Sequence, residues 1–190
     1  MAWLRMLLRP MDYLGIKHAS KLRYDLWLPL AVSVGCTAGY LALPETISLV
    51  STTGVTSQIQ ELVKILAGFF IAALAAIATF QKPDLDRVMA GTPPTLEEFD
   101  EDEGRDVTRA LTRRRFLCFL FGYLAFLSLA LFIATAGALI VKPWIVTAVS
   151  PKYFDVVRGA GAFVFMFGFW HMMSIAMLGL YYLTDRLHRK

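Results

Sequence analysis

FLCFLFGYLAFLSLALFIATAGALIV, residues 116–141, runs for 26 positions without a charged side chain. At about 1.5 Å of rise per residue a helix of this length reaches roughly 39 Å, more than the roughly 30 Å of a bilayer's hydrocarbon core. The stretch therefore predicts a membrane span, and it sets lipid as the main solvent for the chain. Three more spans are expected at about 26–43, 59–80 and 160–183. The first of these reads LWLPLAVSVGCTAGYLAL, with Pro29 in its first turn, where the missing N–H costs little. The sequence is 57% hydrophobic with a mean hydropathy of +0.55, against roughly 45–50% apolar residues in ordinary soluble domains. The polar remainder is too scattered for a separate soluble domain. The predicted fold is all-α: an integral membrane four-helix bundle over residues 25–190, with an N-terminal amphipathic interfacial helix over residues 1–24.

That N-terminal segment places Trp3, Leu4, Leu7, Leu8, Met11, Leu14 and Leu22 at roughly helical spacing, with Arg5, Arg9, Lys17, Lys21 and Arg23 between them. The pattern suits a helix lying in the membrane interface, apolar face down and basic face toward anionic lipid. Pro10 should break or kink it. No continuous apolar core follows the basic residues, which argues against a signal peptide. Ser57 and Gln60 read as a capping box for the second span.

Basic residues decide the expected orientation. Fifteen of the nineteen Lys and Arg residues fall before the first span, in the 81–115 loop or in the C-terminal tail. Lys64, Lys142, Lys152 and Arg158 fall on the other side. This positive-inside bias puts both termini and the loop in the cytoplasm. Trp27, Trp144, Tyr181 and Tyr182 lie near the expected interfaces, as aromatic belts do.

The loop ends in LEEFDEDEGRDVTRALTRRR, residues 96–115. Thr95 and Glu98 suggest a second capping box and hence a helix, with Glu101 four residues ahead of Arg105 in the favourable order. Glu97, Glu98, Asp100, Glu101, Asp102 and Glu103 form an acidic surface suited to a basic protein partner. Arg113, Arg114 and Arg115 stand where the third span leaves the headgroups, a place for anionic lipid. The acids do not fit the calcium-loop spacing, so no metal and no cofactor is expected. The same acids repel phosphate, so no direct nucleic-acid contact is expected. Cys36 and Cys118 fall at different depths and are not expected to pair.

Ala31, Gly35 and Gly39 form a small-residue track in the first span, and similar tracks run through Gly68, Ala72 and Ala76 and through Ala130, Ala134 and Ala138. Such tracks let membrane helices approach closely. Three tracks exceed what one small bundle uses, which predicts a homo-oligomer. His171 is the ionisable side chain nearest the centre of a span. It reads either as a functional group or as a neutral imidazole bonded across the bundle. The hydroxyls of Ser33, Thr37, Ser128 and Thr135 are expected to bond back to the preceding turn.

No nucleophile–base pair, phosphate loop or metal motif occurs, so an enzyme is not expected. The acids lie outside the span centres, which disfavours a small ion-coupled transporter. A membrane subunit that anchors or senses for a cytoplasmic partner through residues 81–115 fits best; the alternative is an oligomeric channel or membrane-disrupting effector. The layout of four spans, a charged cytoplasmic loop and no catalytic motif resembles the small membrane subunits of bacterial anti-phage systems, such as the Kiwa membrane component. That resemblance is one of architecture over the whole chain. It implies a homo-oligomeric platform in a bacterial inner membrane, partnered with a soluble protein and acting in defence.

Overall fold

A computed structural model of the protein describes residues 7–18, 21–42, 54–89, 93–100 and 104–186. Among them, four helical stretches are long and apolar enough to cross a membrane: Arg23–Ala42, Val55–Thr79, Arg113–Ala148 and Lys152–Thr184. The regular helices are labelled α1 (Leu28–Ala42), α2 (Val55–Thr79), α3 (Arg113–Ala148) and α4 (Pro151–Tyr181). The all-α membrane architecture is present, with one small hairpin added.

α2 packs along α3, α3 along α4, and α4 along α1. The spatial order is thus 2-3-4-1. The buried residues of α2 are Thr56, Val63, Phe70 and Ile77, spaced seven apart. A seven-residue stripe keeps one seam against a neighbour wound in a left-handed coil. On that seam Phe70 meets Phe121 of α3 with ring centroids 6.3 Å apart. Between α3 and α4 the approach is closer. A Cβ placed on Gly168 would stand 2.8 Å from Leu131, and one on Gly179 would stand 2.9 Å from Leu120. Ile65, Ile133, Ile140 and Val164 are exposed, which costs nothing where the surrounding solvent is lipid. Ser33, Ser128 and Thr135 donate to the carbonyls of Pro29, Ala125 and Leu131 at 2.5, 2.8 and 2.9 Å, as expected, whereas the buried Thr37 hydroxyl, expected to do the same, has no hydrogen-bond partner among the described residues.

Four local expectations need correction. The segment 142–159 is not a connection. α3 runs on through Pro143, and α4 begins at Pro151, leaving Val149 and Ser150 as the break. Proline suits the first turn of α4 because no helical acceptor waits for its N–H there. The capping box at Ser57 does not form either. Gly54 is the N-cap of α2, and Ser57 donates back to its carbonyl at 2.7 Å.

The acidic stretch is a hairpin, not a helix. β1 (Thr95–Asp100) pairs antiparallel with β2 (Arg105–Ala110), and Gly104 takes φ +64° in the turn. On a helix the acids would crowd one another at three- and four-residue spacing. The ladder sets Glu97 opposite Thr108, Glu98 opposite Val107 and Asp100 opposite Arg105. Glycine adopts this positive φ without the penalty a Cβ brings.

The N-terminal segment does not form one continuous interfacial helix over its described residues. Arg9–Met11 is a 3₁₀ turn, Asp12–Gly15 a single α turn, and Ile16 is extended. Tyr13 and Ile16 are buried in the core, while Leu7, Leu8, Leu14 and Leu22 stay exposed. Lys17 then exchanges backbone hydrogen bonds with Thr95 at 2.8 and 3.2 Å, so the segment is stitched to the hairpin.

Candidate functional site: a polar cluster at the end of an apolar groove

α1 is preceded by a wide turn, Arg23–Trp27, in which the Leu28 N–H reaches back five residues to the Arg23 carbonyl. Pro29 leaves two carbonyls of this turn without a helical donor. Having no N–H, it can serve neither the Asp25 carbonyl four residues back nor the Tyr24 carbonyl five back. Both carbonyls find donors on α4 instead. Ser174 Oγ donates to the Tyr24 carbonyl at 2.6 Å, and His171 Nδ1 lies 2.6 Å from that of Asp25. A carbonyl only accepts, so Nδ1 carries a hydrogen, and Nε2 shares a second hydrogen bond with the Tyr123 hydroxyl at 2.9 Å. The buried imidazole is bonded on both sides.

The cluster extends from there. Tyr13 stacks on Tyr123 with centroids 5.1 Å apart and donates its hydroxyl to Asp25 Oδ1 at 3.2 Å. Lys21 Nζ sits 4.5 Å above the Tyr13 ring, 3.8 Å from Asp25 Oδ2, and donates to the carbonyls of Tyr13, Leu14 and Ile16 at 2.5, 3.0 and 3.0 Å. Burial pushes the Tyr13 pKa up, with the adjacent Asp25 carboxylate adding to the shift. Desolvation lowers that of Lys21, and Asp25 opposes the change. A buried pair such as Lys21–Asp25 is costly to break, because either partner alone would be an uncompensated charge.

The cluster closes one end of a groove of about 1080 Å³. Lys17, His18, Lys21, Asp25, Tyr123 and His171 line its polar end. The remaining lining is apolar, with Leu14, Ile16, Leu22, Leu26 and Pro93 beside the lysines, Leu127, Ala130, Leu131 and Ala134 on α3, and Val164, Phe167 and Gly168 on α4.

The expected site residues are distributed unevenly around this centre. Glu97 is exposed on β1 and paired with Lys17 at 2.6 Å; Glu98 and Asp100 are on the same strand. Glu101, Asp102, Glu103 and Arg5 lie outside the described residues. Arg9 and Arg23 are exposed. Lys21 is directed inward to the carbonyls of Tyr13, Leu14 and Ile16. Arg113, Arg114 and Arg115 are half-buried in the first turn of α3, which Thr112 caps by accepting from the Arg115 N–H at 3.3 Å. Arg114 bonds Asp86 at 2.7 and 3.1 Å and the Ile77 carbonyl of α2 at 2.8 Å, tying three segments together. Ala31, Gly35 and Gly39 are exposed, and among the described residues nothing lies within 4 Å of a Cβ built on either glycine. Among the described residues no group of His, Cys, Asp or Glu is arranged to hold a metal ion.

Depth in the span marks His171 in the sequence; sequence reasoning misses Tyr13, Asp25 and Tyr123. The available signal is Asp25 followed by proline four residues later, which announces a carbonyl in need of an outside donor. No protein family matches the chain, and neither a curated protein nor a solved structure is similar to it.

Proposed function

We propose that the protein is a non-enzymatic membrane subunit that anchors a basic cytoplasmic protein through the acid-rich hairpin of residues 95–110. The hairpin itself carries this reading. Its second strand is exposed along nearly its whole length, and among the described residues no third strand covers its outer edge. An uncovered strand edge is a template for another chain, and a two-stranded hairpin alone is marginal in water. The acids of β1 and of the segment leading to Gly104 supply a charge that a basic partner neutralises. The positive-inside bias supports the cytoplasmic side for this end of the molecule.

Self-association fits the same picture. Among the described residues nothing packs against Gly35 and Gly39 on the Ala31–Gly35–Gly39 face of α1, and such faces pack helices against one another in lipid. Membership of a bacterial defence complex rests on the resemblance in layout alone. The channel alternative draws less support, since His171 is bonded at both nitrogens and the hydroxyls of Ser33, Ser128 and Thr135 bond back to their own helices.

The test is purification from native membranes in mild detergent, followed by the mass of the intact complex. A soluble protein present in fixed ratio is expected. It should be lost when Glu97, Glu98, Asp100, Glu101, Asp102 and Glu103 are changed to Gln and Asn. Partner recovery unchanged by that replacement would remove the hairpin from the proposal. A homo-oligomer with no partner would favour the channel reading.

A further inference from the structure

We propose that the groove binds one anionic phospholipid from the leaflet on the hairpin side, with an acyl chain along α3 and α4 and the phosphate at Lys17.

The lining changes character along its length. Lys17, His18 and Lys21 line the groove beside Leu14, Ile16 and Leu22 of the N-terminal segment, while its α3 and α4 walls beyond Tyr123 and His171 are apolar. On α3, Tyr123, Leu127, Ala130, Leu131 and Ala134 fall on one helical face. From Tyr123 to Ala134 is eleven residues, about 16 Å of helix. That matches the length of one acyl chain, about half of a hydrocarbon core of roughly 30 Å. An acyl chain that starts at the polar end therefore finishes where the groove does. Ala130 and Ala134 keep it open, since larger side chains there would fill it. Its volume of about 1080 Å³ is at or beyond the roughly 300–1,000 Å³ usual for compact small-molecule sites.

Charge selects the headgroup. Lys21 is turned inward to Asp25 and to the carbonyls of Tyr13, Leu14 and Ile16, so Lys17 is the lysine of the lining that a headgroup can reach. Lys17 is held by Glu97 across a side-chain pair that is 66% and 55% exposed. Exposed pairs contribute little, so a phosphate can take the ammonium at small cost. The lipid site stands whether or not the hairpin has a protein partner.

Native mass spectrometry of the delipidated full-length protein tests this, with phosphatidylglycerol or phosphatidylcholine of identical chains added back. The wild type should bind one phosphatidylglycerol about fivefold or more tightly than phosphatidylcholine, the effect of one basic residue near a headgroup. Lys17→Gln should abolish that preference and leave phosphatidylcholine binding unchanged. Ala134→Phe should weaken both lipids at least fivefold, and Ala130→Leu serves as a second filling variant. Equal lipid binding by wild type and a filling variant with the wild-type unfolding temperature would overturn the site. Equal affinity of the wild type for the two lipids would overturn its selectivity for an anion.

Discussion

His171 Nδ1 on α4 lies 2.6 Å from the carbonyl oxygen of Asp25, an oxygen deprived of its helical donor because residue 29 is proline. A sequence feature at the start of the first span is thus answered by a side chain in the last. Replacing His171 with Phe should destabilise the protein by about 1–2 kcal/mol, because a buried carbonyl and the Tyr123 hydroxyl both lose their partner. The loss should shrink in a Pro29→Ala background, where residue 29 supplies an N–H of its own. Equal losses in the two backgrounds, read from reversible unfolding in detergent, would show that proline and histidine are not coupled.

The Asp86–Arg114 pair makes stability depend on acid. The guanidinium hydrogen bond holds the Asp86 carboxyl below the usual carboxylate range. A depressed folded-state pKa means that the unfolded chain binds the proton first as pH falls. The contribution is therefore present above the ordinary Asp value of about 4 and lost as pH drops through the lower folded value. Asp86→Asn should lower the unfolding temperature at neutral pH, and the difference from wild type should narrow toward pH 3. A difference that stays constant over that range would separate Asp86 from the pH effect.

Gly104 should be sensitive to any Cβ, since φ +64° is a conformation that other residues adopt at a cost of about 1–2 kcal/mol. Gly104→Val is expected to speed amide exchange throughout residues 95–110 while leaving α3 and α4 protected. Unchanged exchange in the hairpin would mean that this turn does not set the register.

Glycines in the spans divide into two kinds. Gly168→Val should cost about 1–3 kcal/mol, because its Cβ meets Leu131 in a packed seam. A Cβ on Gly35 or Gly39 meets nothing among the described residues, so Gly35→Ile and Gly39→Ile should leave monomer stability alone while lowering the mass of any oligomer. An unchanged mass would exclude the α1 face as the contact.

Much of this architecture is legible from residue type. The apolar run 116–141 and its three companions dictate four spans, because lipid tolerates long uncharged helices and water does not. The hairpin is not legible by the same rules. Thr95 and Glu98 match a capping box, and only the pairing of β1 with β2, a contact across the turn, overrides it. The N-terminal leucines likewise have helical spacing, yet Tyr13 and Ile16 gain more by packing into the core than by continuing a helix at the surface. His171 can be picked out from depth alone. Its partners cannot, since they lie 48 and 146 residues away in sequence.

The 2-3-4-1 order of the helices carries a consequence for biogenesis. α1 is made first, but its principal neighbour, α4, is made last. Until α4 arrives, the Tyr24 and Asp25 carbonyls have no donor, and α1 must wait in the bilayer beside lipid or another chain. α2 and α3 are consecutive and can zip together as soon as both are inserted. Closure of the fold is then a late, long-range event, and a nascent chain stalled before α4 would expose its unfinished first helix to whatever else the membrane contains.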